Sequence, residues 1–216
     1  MTTSARQVSP AGTVLWGGAL AVDVIAQAHA LSSASDAHLL AAVDEALAGS
    51  GAVAELVCTH VDRSAAVPRA GVSLRLDGEP ADPAATRAAL ARALSGPVVT
   101  GEQDGEQDGE ESAPARTAVA EAAAGSAGRA VRFPGQTGVS GLVPVARLLA
   151  ETAIDRVAGL GGAVADTDVV DTGDHGFLRP TWSGGELTLL VEPTVGGVLR
   201  PFEIEDPHEC CGGAGH

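Results

Sequence analysis

The 216-residue chain has no Lys, no Asn and no Tyr, and aromatic residues make up only 2% of it. Without Lys there is no Schiff-base amine, no lysine general base and no phosphate-loop lysine. Every one of the 13 basic residues is therefore Arg, set against 28 Asp and Glu for a formal net charge of −15. A chain this acidic, with no basic cluster, repels nucleic acid and anionic lipid at long range, so neither is an expected partner. The shortage of rings leaves the core to Ala, Val and Leu, which favours many small contacts over a few large anchors.

Cysteine is scarce as well. Three Cys are too few for a disulfide framework. The most apolar run, "TVLWGGALAVDVIAQAHAL" at residues 13 to 31, is interrupted by Asp23 and His29 and reads neither as an export signal nor as a membrane span. Free thiols in the cytoplasm are the expectation.

What is present is an α+β pattern: two α/β-patterned halves around mixed or antiparallel strands, ending in a C-terminal β-meander. Residues 1–12 read as a disordered N-terminal tail and 13–100 as the first half. There, Leu39, Leu40, Val43 and Leu47 recur at helical spacing behind N-cap candidates Ser33 and Asp36. "AELVCTHV" and "GVSLRLDG" predict two strands that pair through a loop carrying Pro68, Asp82 and Pro83 open a second helix, and "PVVT" offers a further strand.

Residues 101–128 open with a tandem GEQD repeat and read as an acidic low-complexity linker or loop, because six carboxylates at close spacing repel one another. Residues 129–207 predict a strand at "RAVRFPG", a long helix over "GLVPVARLLAETAIDRVAGLGG" and three strands. Those strands are "DVV" running into "GFLRPTW", then "ELTLLVEP", then "GVLRPFEIED". Residues 208–216 form a Cys/His tail.

That tail is the densest cluster of chemistry. His208, Cys210, Cys211 and His216 are soft ligands, and zinc or another thiophilic transition metal such as Cu(I) is the cofactor they suit. Adjacent cysteines depart from the two-to-four-residue spacing of structural zinc pairs, and a disulfide between them would be strained. Cys58 and His60 occupy positions i and i+2 of a strand and so share one face. Folded against the tail, they would complete a ligand set.

The functional expectation is an accessory protein that binds or transfers a transition metal, or presents reactive thiols, with a metalloprotein or redox protein as partner. Two alternatives belong to other classes. One is a small enzyme using Asp171, Asp174 and His175 of "DTGDHGF", with Arg179 as anion partner. The other is a scaffold whose acidic stretch docks a basic protein. Ser140 reads first as the N-cap of the long helix; a weaker anion site there would draw on Gln136 and Thr137 as supporting donors, with Arg132 and Arg147 as the nearest cations.

Overall fold

The computed structural model describes residues 13–20, 33–100 and 109–205. Its first half runs β1 (Val14–Ala19), α1 (Ser33–Leu47), β2 (Ala54–Asp62), β3 (Arg69–Leu76), α2 (Pro83–Leu94) and β4 (Val98–Thr100). The strands lie in the order β4-β1-β3-β2, and each neighbouring pair is antiparallel. This is the split β-α-β connectivity of ferredoxin-like units.

Alternation in β3 divides the two faces of this sheet. Val72, Leu74 and Leu76 pack with Trp16, Val57, Val43 and Leu47 of α1, and Leu90 and Leu94 of α2. Gly71 and Ser73 point the other way. The start of α2 is set as expected, since Asp82 caps it by accepting from the Ala85 amide at 2.9 Å and Pro83 occupies its first turn.

The opposite face is covered by a helix where the sequence suggests a linker. After a 3₁₀ turn at Glu110–Ser112, α3 (Ala113–Ala124) lies across the sheet with Ala115 and Ala118 fully buried. The reason is small-residue packing. A β-carbon at Gly17 would collide with the Ala115 carbonyl, and one at Gly71 with the Pro114 carbonyl. Glycines on the strands and alanines on the helix thus let two backbones approach closely, in a pattern whose one larger aliphatic residue, Val119, falls short of the apolar stripe by which an amphipathic helix is recognised. Residues 101–108 lie outside the described residues.

The second half departs from expectation at its helix. Leu142–Pro144 is a strand (β6), α4 spans only Val145–Glu151, and Arg156–Gly159 is a strand (β7). Ser140 therefore caps nothing, and Pro144 holds the N-cap position. The helix ends where the hydroxyl of Thr152 donates to the Leu148 carbonyl at 2.7 Å and accepts from the Ile154 amide at 3.1 Å. From there the chain pairs in parallel with β10 (Glu186–Pro193), where Ile154 and Val157 join the second core.

β5 (Arg129–Arg132) joins the two halves, pairing with β2 and, through Arg129 and Thr181, with β9 (Thr181–Ser183). β9, β10 and β11 (Leu199–Pro201) form the expected meander. β8 (Val169–Asp171) pairs in parallel with β11 and antiparallel with β6. The expected single strand from "DVV" to "GFLRPTW" is thus two, Val169–Asp171 and Thr181–Ser183, separated by a turn at Thr172–Phe177 in which the Phe177 amide donates to the Thr172 carbonyl at 3.0 Å. The fold is α+β with a mixed sheet, and among the described residues no helix is long and apolar enough to cross a membrane.

Candidate functional site

Cys58 and His60 do share a face, as their spacing requires, but that face is turned inward: His60 meets Glu121 of α3, and Cys58 packs in the second core with Leu56 and Ala130. Both are buried, at 0% and 3% exposure. Burial pushes the Cys58 thiol up to about 12, so its thiolate is scarce at neutral pH. His60 Nδ1 lies 2.8 Å from Glu121 Oε2 and its Nε2 lies 2.8 Å from Ser73 Oγ. A carboxylate only accepts, so Nδ1 carries the proton and Nε2 accepts from the serine hydroxyl. Burial draws the His60 pKa down, with Glu121 opposing it. Serine, imidazole and carboxylate stand in the order of a hydrolytic triad, yet Gly128 closes against the ring so tightly that a β-carbon there would strike it. We read the three as a satisfied polar tie between α3 and the sheet.

Among the described residues no group of three or more His, Cys, Asp or Glu is arranged to hold a metal ion. His208, Cys210, Cys211 and His216 lie outside the described residues.

The turn carrying Asp171, Asp174 and His175 does not assemble as a pair. Asp171 accepts from the Gly173 amide at 3.0 Å, an Asx-turn role. It faces a cleft of about 430 Å³ that it shares with Leu142, Val195 and Arg200. His175 lines a different, larger cleft of about 630 Å³. This second cleft is built from the first turns of α1, the end of β5, the Gly135–Thr137 turn and the His175–Arg179 segment. It gathers Arg132, Gln136 and Thr137, three of the residues suspected of binding an anion, together with Arg179. Arg147 is elsewhere, bonded to Glu151 at 2.9 Å and to the Gly138 carbonyl at 3.3 Å.

One floor of this cleft is an ion cluster that sequence reasoning missed. Asp36, read as a helix cap, is instead gripped by both Nη atoms of Arg129 at 2.9 Å and by Arg179 Nε at 2.7 Å. Arg129 also bonds Glu203 through Nε at 2.8 Å and through Nη2. Burial works against the charge on Arg129, but Glu203 and Asp36 outweigh it and raise its pKa further. Arg179 stacks over Phe177 with 4.0 Å to the ring centroid. Asp36 and Arg129 are 93 residues apart, and no local pattern links them.

The Glu203 anchor fixes where the chain departs toward its tail. Glu205, the last described residue, lines both clefts. No protein-family model, curated protein or solved structure matches this chain. Its chemistry has to be argued from these side chains.

Proposed function

We propose that the protein is an accessory protein that binds or transfers a thiophilic transition metal through its C-terminal Cys/His tail, with His175 as a ligand supplied by the folded body. One observation carries this reading: Glu205, from which the tail continues, lines the same cleft as His175. Cys210 lies five positions beyond Glu205, a span of at most about 17 Å when extended, enough to reach a cleft that Glu205 itself borders. The irregular spacing of the tail ligands argues for such an external partner, because adjacent thiols fill a tetrahedral site poorly by themselves. His175 forms no hydrogen bond among the described residues and is exposed, whereas both nitrogens of His60 are occupied. His175 thus takes the role first expected of Cys58 and His60.

Anaerobic native mass spectrometry with zinc and with Cu(I) tests this directly. The full chain should retain one ion, the chain ending at Glu205 none, and His175→Ala should weaken retention by about tenfold or more. Retention by the shortened chain, or none by the full chain, overturns the reading.

A further inference from the structure

The larger cleft carries a second inference that does not depend on the tail. Part of its wall is apolar: of only three Phe in the sequence, two, the largely buried Phe133 and Phe177, line it together with Leu40. Around that wall stand donors without partners. The side chains of Gln136 and Thr137 make no hydrogen bond among the described residues, and Arg179 spends Nε on Asp36 and Nη1 on the Leu178 carbonyl, leaving Nη2 uncommitted. The guanidinium is held in place by those two bonds and by its stacking on Phe177. A volume of about 630 Å³ with an apolar wall and a few convergent polar groups is the usual form of a small-molecule site.

We infer that this cleft binds a small organic carboxylate, its anionic end on Arg179 Nη2, Gln136 and Thr137 and its apolar body against Phe133, Phe177 and Leu40. Charge selects the class. Asp36 already neutralises much of the local positive charge, and Glu205 adds a further carboxylate at the rim. A phosphate dianion would meet both, whereas a monoanion needs only one free guanidinium edge and two neutral donors. A cation is disfavoured because Arg179 can only donate and Asp36 is already held by two guanidinium groups.

The test uses the full chain in EDTA, with benzoate, benzyl alcohol and phenyl phosphate as probes followed by saturation-transfer NMR and titration calorimetry. Benzoate should bind saturably and about tenfold more tightly than either of the others. Gln136→Ala and Thr137→Val alter a turn with no fully buried residue, so they should leave folding intact while weakening benzoate about fivefold each. Equal binding of benzoate and benzyl alcohol overturns the inference, as does preference for phenyl phosphate. Undiminished binding in both variants, or no saturable binding below about 10 mM, overturns it equally.

Discussion

His60 and Glu121, 61 residues apart, meet at 2.8 Å between the sheet and α3, with the imidazole buried and the carboxylate 29% exposed. The pair makes stability depend on pH in a stated direction. The folded pKa of His60 lies below its ordinary value because burial penalises the charged ring. As pH falls below about 6.5 the unfolded chain takes up a proton that the folded chain does not, so unfolding gains. Stability from this group is fully present above the unfolded pKa and is lost as pH falls toward the folded one. Urea unfolding of wild type and His60→Gln from pH 8 to pH 5 should therefore converge on acidification, with a slope of at most about 1.4 kcal/mol per pH unit. Parallel curves would show that the ring does not titrate against folding.

The fate of His60 also marks what the sequence could disclose. Period-two alternation predicted that Cys58 and His60 share a face, and they do, because strand geometry is local. Alternation in β3 equally set Ser73 apart from Val72 and Leu74, but nothing announced that α3 would cover that face. The covering helix is built mostly from alanines, whose burial depends on Gly17 and Gly71, both far upstream in the sequence. The helices α1 and α2, the β2–β3 pair and the C-terminal meander were legible from periodicity and caps. The long helix after residue 140 was overread, because its apolar spacing is also served by a short helix followed by an edge strand that pairs with β10. In the cleft, Gln136, Thr137 and Arg132 were suspected as a group, and His175 and Arg179 as another. Their union could not be read, since it rests on Asp36 and Arg129 joining distant segments.

Substitution of Gly71 tests the close approach of α3. A β-carbon there meets the backbone carbonyl of Pro114 and lies 3.2 Å from the Ala118 side chain, so the helix itself must shift. Gly71→Ala should cost about 1–3 kcal/mol in urea unfolding. Gly78 has open space around it, and Gly78→Ala should stay within about 0.5 kcal/mol of wild type. Equal effects at the two sites would mean that α3 is not packed as described.

Arg129 offers a sharper test of how the C-terminal segment is held. Its guanidinium grips Asp36 with two bonds and also bonds Glu203, and its side chain is 15% exposed. Arg129→Met removes the cation and strands Asp36 with Arg179 as its remaining partner. A loss of about 3 kcal/mol is expected, as for a largely buried pair broken on one side. Arg129→Lys should recover little of this, because an ammonium cannot reproduce the fork. The Arg129→Met, Asp36→Asn double variant should be less destabilised than the sum of the two singles. Strict additivity in that cycle would mean that Arg129 and Asp36 are not energetically coupled.

Cys58 gives the last prediction, and it separates a structural thiol from a functional one. In a chain ending at Glu205, Cys58 is the one cysteine left. With its pKa pushed up to about 12 by burial, roughly one thiol in ten thousand is ionised at pH 8, and none is reached by reagent without opening of the fold. Modification by a thiol reagent should therefore track the fraction unfolded, staying slow in buffer and completing within the unfolding transition in urea. The Gly71→Ala variant should react faster in proportion to its lost stability, since the thiol is buried in the core with Ala130 and Trp182 and is reached only through opening of the fold. Rapid labelling of the native chain would mean that the core around Cys58 opens readily, and Cys58 with His60 would then return as candidate ligands for the tail.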